Sequence, residues 1–310
     1  MAKKKSRRVT RSRVLGKGTI HTAHEKTNIT NPLKLSFGKR LKAFIELARI
    51  GNCIMAGIAI LIGFFVATGF DIGVAIVAAV SGMLVCAAGQ SINDYFDAKI
   101  DARTSKHRPI PSGKITLREA MLFSIGLFIL GIALASQINV ITFFIALLMS
   151  ILLAAYPLYM NSVKFIGNAL VALGTAITFV YGAAATGNIP VLIIALASTA
   201  FFANLAREIT KDIEDVEKDK GTKNTLAIIL GEFKAKGFVF IYYYLAVVVS
   251  IWIFFEFNLN YGYLLFAALG SITFINASWL LFKKHPKRSQ RVSKLGMIAS
   301  LLAFILAGLK

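Results

Sequence analysis

The chain has 310 residues, of which 56% are hydrophobic and 16% are charged, and its mean hydropathy is +0.69. This balance excludes an ordinary soluble domain and is typical of a polytopic membrane protein. The formal net charge of +20 does not indicate nucleic-acid binding, because 13 of the 35 Lys and Arg residues lie in the first 42 positions without a pattern of interleaved aromatic residues. The two cysteines and four histidines show no metal-ligand spacing, so we do not expect a zinc site.

The chain divides into a tail and a membrane domain. Residues 1–38 are basic and polar, and we expect a flexible tail on the cytosolic side of the membrane. Residues 37–50 place basic and apolar side chains at helical spacing, which predicts a helix lying at the membrane interface. Residues 39–310 contain nine apolar segments, each close to the roughly 20 residues needed to span a bilayer. The segments are 51–69, 72–93, 117–136, 139–160, 164–186, 189–210, 236–256, 261–282 and 292–309.

The connections between these segments predict their orientation. Residues 69–71, 136–139, 186–190 and 256–261 contain no Lys or Arg. The connections at 97–117, 164, 211–236 and 283–291 carry Lys and Arg. Because basic residues favour the cytosolic side, the N-terminus and the polar loops that carry these charges are expected in the cytosol. The prediction is an all-α, multi-pass protein of the cell membrane, with nine transmembrane helices in a bundle and cytosolic polar loops over a cavity.

Six of the seven aspartates lie in two clusters at the expected cytosolic side. Asp94, Asp97 and Asp101 recur at i, i+3 and i+7, which places them on one face of a helix with Asn93 and Gln90. In the second cluster, Glu208, Asp212, Asp215 and Asp219 recur at i, i+4, i+7 and i+11, which predicts a second helical stripe. Like charges at this spacing repel each other, so each stripe needs a positive partner.

Two interpretations account for the clusters. Salt bridges from Lys211, Lys218 and Lys220 would make the second one an ordinary solvated helix end. Alternatively, both stripes bind Mg²⁺, which takes oxygen ligands and completes its shell with substrate phosphates, so a diphosphate would lie between them. Arg108, Arg207 and Lys211 are then candidates for the phosphates. If an allylic carbocation forms, aromatic faces can stabilise it; the candidates are Tyr95, Phe96, Tyr156 and Tyr159.

The two clusters resemble the motifs of the UbiA superfamily of intramembrane prenyltransferases. NDYFDAKID at residues 93–101 matches that family's NDxxDxxxD motif, and DVEKD at 215–219 matches its DxxxD motif. The resemblance covers about residues 40–310 and is strongest for archaeal digeranylgeranylglyceryl phosphate synthases, through REI at 207–209 and KDIED at 211–215. His107 and Lys218 depart from the family pattern, which commonly has Asn and Gly there.

The resemblance implies Mg²⁺-dependent transfer of a geranylgeranyl group from its diphosphate to geranylgeranylglyceryl phosphate. The predicted catalytic residues are Asp94, Asp97, Asp101, Asp215 and Asp219. The predicted metal ligands are Asn93, Asp94, Asp97, Asp101, Asp212, Asp215 and Asp219. The predicted cofactor-binding residues are Asn93, Arg108, Arg207 and Lys211, of which the three basic residues are proposed to bind the phosphates. Two Mg²⁺ ions are expected to bridge the diphosphate. The expected partners are a prenyl diphosphate, a lipid-like acceptor and membrane lipid, but no nucleic acid; the oligomeric state is left open. An aromatic acceptor, or a cation transporter instead of an enzyme, are the alternatives.

Overall fold

A computed structural model describes residue 33 and residues 35–159, 164–221 and 224–309, so nearly all of the predicted basic tail lies outside the described residues. Within these ranges the chain forms helices and no strand, which confirms the all-α prediction. The helices are α1 (Phe37–Leu47), α2 (Ile50–Val66), α3 (Ile72–Thr104), α4 (Leu117–Ser136), α5 (Val140–Tyr159), α6 (Lys164–Ala184), α7 (Val191–Glu214), α8 (Val216–Asp219), α9 (Leu226–Ile229), α10 (Glu232–Glu256), α11 (Tyr261–Phe282) and α12 (Pro286–Ala307).

The long helices form a multi-pass membrane bundle. In the described part of the chain, eight helices (α3 to α7 and α10 to α12) are long and apolar enough to cross a membrane. The 17-residue α2 becomes a ninth span when it is taken together with α1, from which it is bent by 56°. Arg49 lies at this bend with a positive φ of 49°. The nine segments follow the nine predicted ones in order.

Local sequence signals fix where several spans begin. Thr116 and Glu119 form a capping box at the start of α4, in which each side chain accepts a hydrogen bond from the backbone N–H of the other residue. The side chain of Asp71 accepts the backbone N–H of Val74 at 3.1 Å and caps α3. Each cap satisfies backbone donors that the first turn of a helix leaves free. The helix therefore begins where the apolar segment begins.

Close packing of α2 on α6 closes the bundle at the end remote from the acidic clusters. A methyl group added at Gly63 would clash with the backbone of Phe179 in α6, and one added at Gly182 would clash with the backbone of Ile60 in α2. Small residues allow helix backbones in a membrane to approach each other closely. The two glycines therefore hold α2 and α6 together in the half of the bundle that lies opposite Asp94 and Asp101.

The loop between α3 and α4 packs on α1. Ile110 and Ile115 are buried in a cluster with Ala43 and Leu47 of α1. Arg40 of α1 forms an ion pair with Glu119, at the start of α4. The loop that carries Arg108 is thereby fixed against the first helix, beside the acidic end of α3.

The two acidic clusters differ in backbone structure. The first lies entirely within α3, as predicted. The prediction of one continuous helix through the second is wrong, because α7 ends at Glu214 and α8 begins at Val216. Between them, Asp215 has φ −94° and ψ 9°, in the sparsely populated bridge region. Asp215 and Asp219 therefore do not continue the stripe of Glu208 and Asp212 along α7.

Candidate active site

Seven helices surround a cavity of about 730 Å³ in the bundle. Its lining comes from α2, α3, α5, α6, α7, α11 and α12, with Phe274 as the contribution of α11. One end is polar and includes the parts of α3 and α7 that carry the acidic clusters. The rest is mainly apolar and reaches Phe179 and Phe304, which contact each other edge to face. The sequence left open whether the two acidic helices lie near each other, and the cavity shows that both face one space.

On the α3 side, three polar residues line the cavity. They are Gln90, Asn93 and Asp97, which are spaced by three and four residues and so lie on one face of the helix. The Asn93 amide donates a hydrogen bond to the Asp97 carboxylate, with an Nδ2–Oδ2 distance of 3.2 Å. Asn93 and Asp97 are both predicted metal ligands, and the structure places both residues in the wall of the cavity.

Asp94 and Asp101 are not part of the cavity lining and contact two arginines, of which Arg49 lines the cavity and Arg108 does not. Arg49, at the bend between α1 and α2, donates to Asp94 at 2.5 Å. Arg108 lies 2.5 Å from Asp101 and 3.4 Å from Asp94, so one guanidinium bridges the two carboxylates. Both aspartates are buried, with only 4% and 6% of their surface exposed. Arg108, which the sequence proposed for phosphate, thus contacts the acidic cluster itself and lies outside the cavity lining.

On the α7 side, Arg207, Glu208 and Lys211 line the cavity. The Glu208 carboxylate accepts a hydrogen bond from the Arg207 guanidinium at 2.8 Å and lies 3.7 Å from the Lys211 ammonium. Two cations therefore share one carboxylate and leave an excess positive charge on this wall. The predicted phosphate-binding residues Arg207 and Lys211 line the same cavity as Asp97.

The remaining predicted ligands surround the end of α7. Asp212 is 4% exposed and accepts a hydrogen bond from the Asn168 amide of α6 at 2.6 Å. Asp219 is buried at the end of α8, and Asp215 lies at the junction of α7 and α8. None of these three aspartates belongs to the cavity lining. Their metal-binding and catalytic roles, like those of the α3 residues, stay predictions.

Four residues at the site were not among the predicted site residues. Arg49 was assigned to the interfacial helix, and Glu208 was placed only in the acidic stripe. Asn168 of α6 and Lys294 of α12 also line the cavity, and each is a polar residue within a mostly apolar segment. Polar residues in transmembrane segments are energetically costly and usually functional. Their position within apolar segments could therefore have identified Asn168 and Lys294 from the sequence.

The donor set fits Mg²⁺. Asn93, Asp97 and Glu208 supply hard oxygen atoms on two walls of one cavity, and Mg²⁺ is bound by few protein carboxylates together with water and phosphate oxygens. Among the described residues, no three His, Cys, Asp or Glu side chains converge to hold an ion by themselves. A metal here would thus share its ligands between protein and substrate.

Curated proteins similar in sequence include archaeal digeranylgeranylglyceryl phosphate synthases. The chain is 38% identical over 275 residues to the digeranylgeranylglyceryl phosphate synthase of Methanopyrus kandleri, which covers 86% of this chain and 98% of that protein. It is 36% identical over 275 residues to the protein of the same name from Thermococcus kodakarensis, with the same shares covered.

Solved structures share the fold. One that reports on digeranylgeranylglyceryl phosphate synthase in membranes aligns with a TM-score of 0.76 and 34% identity, over 87% of this chain and 99% of that one. A UbiA homologue from Archaeoglobus fulgidus, solved with GPP and Mg²⁺, aligns with a TM-score of 0.61 and 23% identity, over 86% and 98%. The family model described as UbiA prenyltransferase family matches residues 56–303. The chain therefore belongs to the UbiA prenyltransferase family.

Proposed function

We propose that this protein transfers a geranylgeranyl group from geranylgeranyl diphosphate to the free hydroxyl of geranylgeranylglyceryl phosphate, forming the second ether of an archaeal membrane lipid. The observation that carries the proposal is the single cavity, which has both acidic helices at its polar end and an apolar interior. Relatives with 38% and 36% identity that carry the name of this activity support it. The same relatives do not favour an aromatic acceptor or cation transport.

The polar end suits the diphosphate of the donor. Arg207 and Lys211 present two cations that are only partly neutralised by Glu208. Guanidinium groups bind phosphate oxygens in a fork geometry, and an ammonium acts as a point charge. Asn93 and Asp97 lie on the opposite wall. A diphosphate between α3 and α7 would thus meet cations on one side and oxygen ligands for metal on the other.

Mg²⁺ held by these residues would neutralise charge that builds up on the departing diphosphate. We infer two ions, one near Asn93, Asp94, Asp97 and Asp101 and the other near Asp212, Asp215 and Asp219, because oxygen donors occur on two helices that face one cavity. Asn168 and Arg108 keep parts of both clusters in place through their contacts with Asp212 and Asp101.

The apolar interior suits the hydrocarbon of the donor. The cavity wall on α12 runs from Lys294 to Phe304, ten residues or about 15 Å at the rise of an α-helix. Met149, Leu153 and Phe179 continue this wall on α5 and α6. The apolar lining excludes water from the carbon that loses the diphosphate. The acceptor hydroxyl, and not water, then attacks that carbon.

The reaction then needs three changes in bonding. The allylic carbon–oxygen bond of the donor breaks and its electron pair leaves with the diphosphate, where Arg207 and Lys211 stabilise the negative charge. The acceptor oxygen forms the new ether bond to that carbon. The O–H bond of the acceptor breaks, and its proton passes to the departing diphosphate. Tyr156 lies in the wall near the polar end, and its aromatic face is suited to an allylic cation.

We also propose that the polar end of the cavity faces the cytosol. The connections at the opposite end, 69–71, 136–139, 186–190 and 256–261, contain no Lys or Arg. The connections beside Asp101, Asp219 and Pro286 are rich in both. Basic loops are retained in the cytosol during insertion, which supports this orientation and a cytosolic N-terminus.

The activity is tested with purified protein, labelled geranylgeranyl diphosphate and Mg²⁺. Geranylgeranylglyceryl phosphate should be prenylated, whereas an aromatic acid such as 4-hydroxybenzoate should not; the reverse preference would overturn the proposal. Asp97→Asn and Asp215→Asn should each lose nearly all transfer. Asp71→Asn, which removes the same charge at the far end of α3 but keeps the capping oxygen, is the matched control. Full activity in either Asp97→Asn or Asp215→Asn would refute the metal assignment.

A further inference from the structure

One face of α12 changes from charged to apolar where it lines the cavity. Lys294, Ile298 and Leu301 recur at i, i+4 and i+7, so they lie on one side of the helix, and all three line the cavity. Lys294 is exposed and faces the polar end. Ile298 and Leu301 follow toward the apolar interior. This face is complementary to a lipid with an anionic headgroup and a hydrocarbon chain.

Lys294 differs from the other cations of the cavity. Arg49 pairs with Asp94, and Arg207 and Lys211 pair with Glu208. Lys294 forms no ion pair or hydrogen bond with any residue in the described part of the chain. An ionisable side chain within a transmembrane segment is costly unless it has a counter-charge or serves function. An anion bound in the cavity would supply the counter-charge.

The depth of Lys294 matches the catalytic level. The Gln290 amide of α12 donates to the Glu214 carboxylate of α7 at 2.7 Å, which aligns these two helices. The two helices are antiparallel. Lys294, four residues after Gln290 on α12, therefore lies at the level of Thr210, which is four residues before Glu214 on α7 and next to Lys211. Lys294 is about 12 Å below Pro286 by the same rise. Lys294 therefore lies at the level of Lys211, one of the cations that line the cavity.

We propose that Lys294 binds the phosphate of the lipid acceptor, while Ile298 and Leu301 contact its hydrocarbon chain. This inference rests on the proposed function, in which donor and acceptor each carry phosphate. Arg207 and Lys211 lie on a motif helix opposite Asp97, where the donor diphosphate is placed. A second phosphate in the same cavity needs its own cation, and α12 provides one on a wall that carries neither acidic motif. Lys294 is thus a binding residue that selects acceptors with a phosphate.

The test is a steady-state comparison of Lys294→Met with wild type, using geranylgeranylglyceryl phosphate and the same lipid without its phosphate. Lys294→Met should raise KM for the phosphorylated acceptor at least about tenfold, the loss expected for one hydrogen bond to a charged group. KM for geranylgeranyl diphosphate should change by less than about twofold. With the dephosphorylated acceptor, wild type and variant should be equally poor. Lys294→Arg should recover part of the affinity.

Arg288→Met is the matched control, because Arg288 is an exposed cation on α12 that does not line the cavity. A variant that raises KM for the donor as much as for the acceptor would overturn the inference, and so would an equal loss with both acceptors or no loss at all. Thermal stabilisation of the donor-free protein by the phosphorylated acceptor, reduced in Lys294→Met, gives a readout independent of turnover. Wild-type protein that prenylates neither lipid would refute the proposed function itself.

Discussion

Replacement of Asp94 should affect stability, whereas replacement of Asp97 should affect turnover without loss of stability. Asp94 is 4% exposed and contacts Arg49 and Arg108, while Asp97 lines the cavity. Asp94→Asn removes the carboxylate that pairs with Arg49 and one of the two carboxylates that Arg108 bridges. Breaking a fully buried ion pair costs about 3 to 5 kcal/mol and losing a fully exposed one costs about 0 to 1 kcal/mol.

The arginines set where Asp94 falls in that range. The Arg49 and Arg108 side chains are 35% and 31% exposed, so both can be partly hydrated after the carboxylate is lost. We therefore expect Asp94→Asn to lower the free energy of unfolding by about 2 kcal/mol. Asp97→Asn keeps an oxygen near Asn93 and should change stability by less than about 0.5 kcal/mol.

Thermal unfolding of detergent-solubilised protein can be followed with a thiol-reactive dye, because Cys53 is only 1% exposed and becomes accessible when α2 and α3 separate. Prenyl transfer is measured on the same samples below the unfolding temperature. Asp97→Asn should unfold like wild type and transfer nothing measurable. An Asp94→Asn protein as stable as wild type, or an Asp97→Asn protein less stable than Asp94→Asn, would refute the division of roles.

Three further predictions follow from the packing and the site. Gly63→Ala should destabilise the bundle by about 1 to 3 kcal/mol, because the methyl group would clash with the backbone of α6; Gly126→Ala, where nothing lies within 4 Å of the added methyl group, is the control in the same unfolding assay. Asn168→Leu removes a hydrogen bond to the buried Asp212 carboxylate and should lower kcat about tenfold or more, measured at saturating donor and acceptor; unchanged kcat would separate Asp212 from catalysis. Chelation with EDTA should stop transfer and excess Mg²⁺ should restore it, and transfer that persists in EDTA would contradict a metal role for the oxygen atoms at the cavity.

The spans were predictable because each depends on a local property. A run of about 20 apolar residues is sufficient to define a membrane helix, since the backbone has no other way to satisfy its hydrogen bonds in lipid. Helix ends were less predictable because a helix can continue into water. For example, α10 begins at Glu232 and α12 at Pro286, both several residues before their predicted apolar segments.

The site was predictable only where its residues share a helix. Asn93 and Asp97 lie one turn apart, and their common face follows from spacing alone. The contact of Arg49 with Asp94 joins residues 45 positions apart, across a bend whose angle no local pattern determines. Asp215 shows the opposite limit, because its spacing fits a continuous helix but α7 ends at Glu214 and α8 begins at Val216.

The double role of the first motif follows from the rotation of an α-helix. Successive residues of an α-helix are rotated by about 100° around its axis. Measured from Asp97, Asn93 lies about 40° to one side and Gln90 about 20° to the other. Asp101 and Asp94 lie about 40° and 60° from Asp97, on the same side as Gln90. One acidic stripe therefore covers two neighbouring faces of α3, one that lines the cavity and one that holds Arg49 and Arg108. Since both faces belong to a single helix, the arginine contacts fix the rotation of α3 and with it the direction in which Asp97 faces the cavity.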